Sequence, residues 1–474
     1  MLRAILRIGL FAFAMMAVLA VVSGGLLFSF SQHFYFSPPK ADYPKPGSAL
    51  VAQRQDLDYF KKLSYLDRSF SPKARKEADA RIAALEALPY ALSPQKFHVA
   101  LMQIMALADN GHSRVRASVD GAEPLTEPVR LTRFADGFFV MRAKSGDRDM
   151  LGGRLESIDG VPFDEIVRRL ETLRGGTEAF RRDNAALFAI DHDILYGAGI
   201  ARDPKKSVWS VRLPDGQVIT RTLVAETEKN DASFSYGTRW RSPEPLKGMD
   251  KDWVDESPAR GDEPETEQNF DEHFHRAAVP GSCASYVRVQ NIADTDGQKI
   301  QPFLTSTLDA FRAHPPCAVI VDLRGNGGGD YTNTWRFTHE LPDLLAPGGH
   351  IYVLTDPETF SAAITTTAFL KEAGGDKVTI IGEPVGDRMA FFSEGGSGSL
   401  PNSKFSVAYE TGKHDYAHPC RDMENCFWLN WLYPVQVKTL APDILIPSRF
   451  SDWNAGHDEA FEHAVALARH SKGS

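Results

Sequence analysis

Cys317-Ala-Val-Ile-Val-Asp-Leu-Arg-Gly-Asn-Gly-Gly-Gly329 joins an apolar run to a glycine cluster and decides the fold of the chain. A second apolar run, residues 351–354, is followed by Thr359-Phe-Ser-Ala-Ala363 at the start of a helix-like segment. We interpret both runs as buried strands of one sheet, each ending in a special loop. Neighbouring parallel strands bring such loops to one edge, where backbone N–H groups would lie beside a serine hydroxyl. That layout is typical of a serine nucleophile that faces an oxyanion hole.

The chain around these two strands repeats a strand-helix-strand pattern. Strands are predicted over residues 284–289, 318–323, 351–354 and 378–381, with helices over residues 299–311 and 362–372. Units of this kind form parallel sheets whose faces are covered by helices. The C-terminal part of the chain is therefore predicted to be an α/β domain.

Length and composition describe a folded protein with two or three domains. The chain has 474 residues, of which 43% are hydrophobic and 10% aromatic. Its 53 basic and 62 acidic side chains give a formal net charge of -9. Because a nucleic-acid-binding protein needs a basic face to neutralise phosphates, this charge predicts that nucleic acid is not a partner.

The N-terminus predicts a membrane-spanning helix. Arg3 and Arg7 precede an uncharged stretch, residues 8–30, which as a helix is long enough to span about 30 Å of hydrocarbon. The basic flank is expected to stay in the cytoplasm, so the remaining chain would be periplasmic or extracellular. We expect residues 1–36 to be an uncleaved anchor, although Val18-Leu-Ala20 resembles a signal-peptide cleavage site, and cleavage would make the protein secreted. A buried helix of a soluble protein is the remaining alternative.

The four cysteines fit an oxidising compartment. Cys420 and Cys426 lie in one polar loop, where the spacing allows a short disulfide. Cys283 and Cys317 begin two apolar runs that we expect to be adjacent strands, which allows a second disulfide. Zinc bound by the first pair with two nearby histidines is the rival explanation. The spacing fits no standard zinc pattern, so we predict no metal.

The segments before the α/β domain differ in character. Residues 37–120 contain a proline-rich spacer and then helical patterns, and the clearest helix starts at Ser93-Pro94 and stops at Asp109-Asn-Gly111. Residues 121–235 are β-rich, with strands separated by turn signals. Residues 236–274 are acidic and poor in apolar side chains, which is typical of an exposed linker or insertion.

The glycine cluster 325–329 by itself supports several interpretations. A phosphate loop would need Gly-Lys followed by Ser or Thr, and a dinucleotide site would need GxGxxG opening a helix. Asp330-Tyr331 follows instead, and an acidic residue there disfavours phosphate. Glycines also let backbone N–H groups approach a reacting carbonyl, as an oxyanion hole requires. Ser361 has a simpler interpretation too, as the cap of a helix.

Four motifs, taken in order, resemble the S41 serine peptidases, the C-terminal-processing and tricorn-core proteases. They are Asp322-Leu-Arg-Gly-Asn-Gly-Gly-Gly329, Phe360-Ser-Ala-Ala363, Ile381-Gly-Glu-Pro-Val-Gly386 and Leu440-Ala-Pro-Asp-Ile444. The resemblance implies a ClpP/crotonase-like catalytic core over residues 275–474. A weaker resemblance, in Gly153-Arg-Leu-Glu-Ser-Ile-Asp-Gly-Val-Pro-Phe-Asp-Glu-Ile166, implies a PDZ-like module over residues 121–235.

The resemblance also implies roles for individual residues. Ser361 would be the nucleophile, and Gly327 or Gly328 with the Ala362 amide would form the oxyanion hole. The segment Leu107-Ala-Asp-Asn-Gly-His-Ser113 resembles one in the tricorn-like branch, which implies that His112 is the base.

Two departures from the family patterns bear on the base. The processing proteases use a lysine that would fall near Asp387-Arg388, and arginine does not deprotonate in proteins, so His112 is favoured. The tricorn-like pattern has a serine before the histidine, where this chain has Gly111, and an acid well downstream. Spacing does not choose among the acids that could orient the histidine, which are Asp109, Glu394, Asp422 and Glu424.

The sequence therefore predicts an extracytoplasmic, membrane-anchored serine peptidase that uses no cofactor. Its partners would be the membrane and a peptide or protein substrate, whose C-terminus the PDZ-like module would bind as an added strand. Gly111 and Arg388 are the best arguments for a different class, a non-catalytic peptide- or ligand-binding protein on the same fold. A small-ester hydrolase would share the chemistry but not the substrate.

Overall fold

The computed structural model describes residues 2–117, 124–227, 237–242, 252–255, 264–270, 272–295 and 297–470. The α-helices are α1 Leu2–Phe34, α2 Ala49–Ser64, α3 Pro72–Glu86, α4 Pro94–Met105, α5 Phe163–Leu170, α6 Glu178–Phe188, α7 His192–Gly197, α8 Ile300–Ala313, α9 Trp335–Glu340, α10 Ala362–Gly374, α11 Phe450–Asn454 and α12 Glu459–His470. Much of the expected acidic linker, including residues 243–251 and 256–263, lies outside the described residues.

The strands fall into four sheets. They are β1 Arg114–Arg116, β2 Leu125–Thr126, β3 Val129–Phe134, β4 Gly137–Lys144, β5 Arg154–Ile158, β6 Val161–Pro162, β7 Lys206–Arg212, β8 Val218–Val224, β9 Glu226–Thr227, β10 Trp253–Asp255, β11 Phe274–Ala278, β12 Ala284–Val289, β13 Ala318–Asp322, β14 His350–Thr355, β15 Val378–Gly382, β16 Ala390–Ser399, β17 Ser406–Asp415 and β18 Ile444–Leu445.

The C-terminal domain is built on a six-stranded sheet with the order β11-β12-β13-β14-β15-β18. Strands β12, β13, β14, β15 and β18 run parallel to one another, and β11 pairs with β12 in the antiparallel sense. The central strand β13 is buried along its whole length, which explains its continuous apolar run. β13 and β14 are direct neighbours, with Asp322 opposite Leu354. The predicted α/β domain is confirmed, and both special loops leave the same edge of its sheet.

Helices cover both faces of this sheet. Val319 and Val321 of β13 belong to one apolar cluster with side chains of α8, α9 and α10. Ile320, which points to the opposite face, packs with Ala464 and Ala468 of α12. Alternate residues of one strand therefore fill two separate cores, as expected for a sheet between two helical layers.

The middle of the chain forms a second, antiparallel sheet of seven strands. Its main order is β10-β4-β5-β7-β8, with β3 beside β4 and β6 beside β5. The turn between β5 and β6 contains Asp159 and Gly160, both with positive φ, as an Asp-Gly hairpin turn requires. The apolar side chains of this sheet share one core with α2 and α4. The helical region and the β-rich region therefore pack as one body.

Helix α4 begins as predicted but ends differently. Ser93 accepts a hydrogen bond from the Lys96 N–H, and Pro94 occupies the first turn. At the other end, the chain passes through one 3-10 turn, and Asp109, rather than Asn110 or Gly111, takes the left-handed conformation. His112 follows in the next loop, before β1. Because β1 pairs with β17, the N-terminal region contributes a strand to a C-terminal hairpin.

The N-terminal helix and the cysteines bear on location. Over Met15–Phe34, α1 is long and apolar enough to cross a membrane, as an anchor or a signal sequence would be. Disulfides join Cys283 to Cys317 and Cys420 to Cys426, which are the two pairings expected from the sequence. The second of these bonds uses the two thiols that the alternative zinc site would have needed.

Candidate active site

Ser361 follows β14 and immediately precedes α10, and its backbone conformation is strained. Its φ is 54° and its ψ is -123°, a combination that side-chain-bearing residues rarely adopt. The side chain is half-buried and makes no capping hydrogen bond to its own helix. The simpler interpretation of Ser361 as an ordinary helix cap is therefore not supported. The Ala362 amide opens the first turn of α10, where N–H groups have no partner within the helix.

The glycine loop after β13 touches Ser361. A methyl group on Gly328 would lie 2.6 Å from Cβ of Ser361 and 3.0 Å from the amide nitrogen of Ala362. Only a glycine allows this approach, and Gly328 also has a φ of 107°. The structure thus brings together Ser361, Gly328 and Ala362, as the sequence predicts. Gly328 donates its own N–H to Asn326 Oδ1 at 2.9 Å, which favours Gly327 as the second donor.

The two loops are fastened to each other by buried hydrogen bonds. Phe360 donates its N–H to the Asn326 carbonyl at 2.9 Å. The Thr359 hydroxyl donates to the Leu323 carbonyl, also at 2.9 Å. Asp356 accepts from the Thr359 amide at 2.9 Å. The position of Ser361 is therefore set by backbone contacts between adjacent strand ends.

His112 is buried beside the residue that precedes the serine. Its ring centroid lies 4.3 Å from that of Phe360 and 5.5 Å from that of Phe391, with which it is stacked. Among the described residues, neither ring nitrogen has a hydrogen-bond partner. The imidazole is thus held by packing against aromatic rings, with both nitrogens available to a substrate or to a side chain that moves.

The surroundings of His112 favour its neutral form. Burial lowers the pKa of His112 well below its ordinary value, and the positive charges of Arg114 and Arg174 and the nearby His414 act in the same direction. A neutral imidazole at neutral pH can accept a proton, which is what a general base must do.

Gly111 explains one departure from the tricorn-like pattern. A methyl group on this glycine would lie 2.7 Å from the ring of Phe360 and 2.9 Å from Oδ2 of Asp387. A serine at this position would therefore collide with the residue next to Ser361. The Gly111 N–H instead donates to Asp387 Oδ2 at 2.9 Å.

The dipeptide Asp387-Arg388 holds the loop that carries His112. Asp387 is buried, which raises its pKa to about 6, and it receives the Gly111 N–H. Arg388 donates to the carbonyl of Asp109 at 3.0 Å and pairs with the Asp109 carboxylate at 2.8 Å. We expected no more of this dipeptide than the absence of a lysine. Its role as a clamp depends on contacts between distant parts of the chain.

The four acids named from the sequence lie elsewhere than at the His112 ring. Asp109 is paired with Arg388 and Arg181. Glu394 contacts the Tyr35 hydroxyl and lies 3.7 Å from Nε2 of His414. Asp422 and Glu424 are exposed in the loop closed by the Cys420–Cys426 disulfide.

Glu410 is a buried acid that sequence reasoning did not single out. It lies in β17, whose pairing with β1 places Arg114 opposite Ala408. That pairing ends at Arg114, and beyond it the Glu410 carbonyl accepts the Arg68 N–H at 2.8 Å. The charges of Arg114 and Arg174 act on both groups, so the two share neighbours.

Asp67 supports the same corner of the site. Its Oδ2 accepts from the Ser113 hydroxyl at 2.7 Å and from the Glu410 N–H at 3.2 Å. Burial raises the pKa of Glu410 to about 8, and the charge of Asp67 adds to the rise. The Asp67 carboxylate therefore links Ser113, the residue after His112, to the backbone of Glu410.

Other charged residues of the family motifs have structural partners. Lys371 donates to Asp443 at 2.8 Å, and Asp443 also receives the Ile380 N–H. Glu383 pairs with the buried Arg133 at 2.7 Å. Lys371 is thus engaged in an ion pair with Asp443.

No family model matches the chain, and no curated protein matches it by sequence. Solved structures do match. Mature CPAF complexed with lactacystin is 12% identical, and the alignment covers 89% of this chain and 98% of that chain with a TM-score of 0.57. A serine-to-alanine mutant of CPAF is also 12% identical, with 89% and 97% covered and a TM-score of 0.58. The photosystem II D1 C-terminal processing protease is 12% identical over 85% and 94%, but its TM-score of 0.38 is too low to carry an argument.

These likenesses concern the fold. The chain is similar to CPAF over nearly the full length of both chains. The S41-like peptidase fold that the motifs led us to expect is thereby confirmed.

Proposed function

We propose that this chain is a membrane-anchored serine peptidase that acts outside the cytoplasm, with Ser361 as nucleophile and His112 as base. One juxtaposition carries the proposal. Gly328 contacts the strained Ser361, while His112 packs on the adjoining Phe360. A nucleophile, amide donors and a neutral base thus come from three separate segments to one place, which ordinary packing does not require.

In the proposed reaction, Ser361 Oγ attacks the carbonyl carbon of a peptide bond while its proton passes to His112. The carbonyl oxygen becomes an oxyanion that accepts hydrogen bonds from the Ala362 amide and the glycine loop. The C–N bond then breaks, and His112 returns the proton to the leaving nitrogen. Water, deprotonated by His112, attacks the acyl-enzyme and releases the second product with the serine restored.

We assign the orienting acid to Glu410. Its carboxyl group is buried, it lies two residues beyond the last position of β17 that pairs with β1, and the charges of Arg114 and Arg174 act on both Glu410 and His112. None of the four acids expected from the sequence has this combination. An ionised Glu410 would stabilise the imidazolium that forms when His112 takes the serine proton.

Two further parts of the proposal concern domains and location. The parallel sheet with Ser361 at its edge supports a ClpP/crotonase-like core over residues 275–474, and the antiparallel sheet supports a PDZ-like module over residues 121–235. The apolar span Met15–Phe34 and the two disulfides support an anchored protein in an oxidising compartment.

Labelling with a fluorophosphonate tests the chemistry. The wild type should be labelled, Ser361→Ala should not, and His112→Ala should be labelled far more slowly. Ser406→Ala, a serine on β17, is the matched control and should behave as the wild type. Equal labelling of all four proteins would refute the mechanism, and an unlabelled but folded wild type would favour a non-catalytic binding protein. Lactacystin, which is bound in one matched CPAF structure, is a second probe.

Digestion of casein and of a short ester substrate then separates a peptidase from a small-ester hydrolase. The proposal expects casein cleavage that is lost in Ser361→Ala. Hydrolysis of the ester alone would identify the protein as an esterase.

A further inference from the structure

The end of α1 is built into the folded domain. The Thr411 hydroxyl donates to the Phe34 carbonyl at 2.7 Å, and the Tyr409 hydroxyl donates to the Phe36 carbonyl at 3.0 Å. Arg68 donates to the His33 carbonyl at 3.2 Å, and the Phe34 side chain is fully buried. The apolar helix therefore does not end in a loose tether, and its direction relative to the domain is fixed.

A loop of the domain lies against this helix end. We call residues 420–432 the aromatic loop; the Cys420–Cys426 disulfide closes its first part. The ring of Phe427 lies 5.3 Å from that of Phe30, and the ring of Trp428 is stacked 5.1 Å from that of His33. The loop is thus in contact with the last two turns of the proposed membrane span.

The outer side of the aromatic loop exposes large apolar side chains. Met423 is 60% exposed, Trp431 is 44% exposed and Leu432 is 73% exposed. Trp431 also stacks on Trp428, which joins this patch to the rings that contact α1. The surface continues onto α1, where side chains such as Leu27 are largely exposed. Soluble surfaces rarely show such clusters unless something covers them.

We propose that the aromatic loop is a second membrane contact, in which Trp431 and Leu432 enter the interfacial layer of the leaflet where α1 ends. Tryptophan is enriched at that depth because its ring is apolar and its N–H is polar. A bilayer is the occupant we infer, because the patch is continuous with a helix surface that would already face lipid. This inference rests on the proposed membrane anchor.

The charges of the loop predict which lipids matter. Asp422 and Glu424 are exposed beside the apolar patch against one basic side chain, Arg421, so the loop is net negative and anionic headgroups would not attract it. Insertion should therefore be driven by apolar surface and should be as strong in zwitterionic phosphatidylcholine as in mixtures with anionic lipid.

Quenching of tryptophan fluorescence by lipid tests the contact. Full-length protein is reconstituted in phosphatidylcholine vesicles whose acyl chains are either brominated near the headgroup or unbrominated, and the difference between the two spectra is recorded. Trp431→Phe should lose part of this difference signal. Trp453→Phe, which removes a buried tryptophan of the C-terminal domain, should leave it unchanged.

A gain-of-signal pair guards against variants that fail to fold. Leu432→Trp should increase the difference signal, whereas Val218→Trp, at an exposed position of the β-rich module, should not. Protein that floats with the vesicles but shows no effect of Trp431→Phe or Leu432→Trp overturns the loop contact and leaves the anchor intact. Protein that does not float with vesicles overturns both. Loss of peptidase chemistry would change neither readout.

Discussion

The proposed nucleophile and the proposed base of this protein are held in place in different ways. Ser361 lies on the loop after β14, which is paired with β13 in one sheet. The Phe360 N–H donates a hydrogen bond to the Asn326 carbonyl in the loop after β13. His112 sits on a loop fixed by side chains that come from far along the chain, including Asp387 and Phe391. The position of Ser361 is thus set by backbone contacts between neighbouring strands, whereas the position of His112 is set by side chains from distant parts of the chain. Substitutions in the two regions should therefore fail in different ways.

Ser361→Ala should have the largest effect, and it should act on chemistry alone. Activity is expected to fall by roughly 10⁴-fold or more, because the residue that bonds to substrate is lost. Alanine keeps the same backbone and Cβ, so the free energy of unfolding should change by less than about 0.5 kcal/mol. Peptide-cleavage rates and denaturant titration measure the two effects. Residual activity near that of Ser406→Ala would contradict the assignment.

Gly328→Ala should also impair the Ser361 side of the site, because the added methyl group distorts the contact between the glycine loop and Ser361. The added methyl would lie 2.6 Å from Cβ of Ser361, at a φ of 107°. We expect kcat to fall by about 10²-fold or more, as when an oxyanion donor is lost, with a stability cost of roughly 1–3 kcal/mol. Gly281→Ala has a positive φ and open space around it, so it should cost stability without changing kcat.

Gly111→Ala should act on the proposed base, because it displaces the loop that carries His112. Its methyl would lie 2.7 Å from the Phe360 ring, and the displacement should lower kcat by about 10- to 100-fold. Fluorophosphonate should still label Ser361, only more slowly, because the nucleophile remains. Gly47→Ala, which has nothing within 4 Å, is the control and should be neutral. An unchanged kcat would show that the position of His112 does not matter.

The smallest expected effect is on the pH dependence of kcat, which tests whether Glu410 orients His112. Burial raises the pKa of Glu410 to about 8, so the carboxylate forms as pH rises through that value. If this carboxylate stabilises the imidazolium, wild-type kcat should rise several-fold between about pH 7 and 9, since each pKa unit spans a tenfold change in ionisation. Because burial lowers the pKa of His112 below its ordinary value, protonation of this imidazole should add little to the loss of activity as the pH is lowered to about 6.

Two variants test the origin of this pH dependence of kcat: Glu410→Gln and, as its matched control, Glu394→Gln. The first should abolish the alkaline rise, because the amide cannot ionise. The second should retain it, since Glu394 is engaged with Tyr35 and His414. A rise that survives Glu410→Gln but disappears in Glu394→Gln would move the role to an acid expected from the sequence.

The same contrast explains what could be predicted from the sequence. Fully buried strands such as β13 leave continuous apolar runs, and the Gly328–Ser361 contact needs only two neighbouring strands. Sequence reasoning therefore predicted the α/β core and the contact between the glycine loop and Ser361, the proposed nucleophile. The contact of Asp387 with Gly111, and the proposed role of Glu410 toward His112, join segments that lie nearly three hundred residues apart. No local pattern marks such contacts, so the clamp and the acid could not be predicted.

The most direct test of the central claim is a crystal structure of the fluorophosphonate adduct of the wild type. We predict that the phosphorus is bonded to Ser361 Oγ and that a ring nitrogen of His112 lies within hydrogen-bond reach of that oxygen, at about 3 Å. An adduct on Ser361 with His112 still enclosed by Phe360 and Phe391, and another group in contact with Oγ, would contradict it.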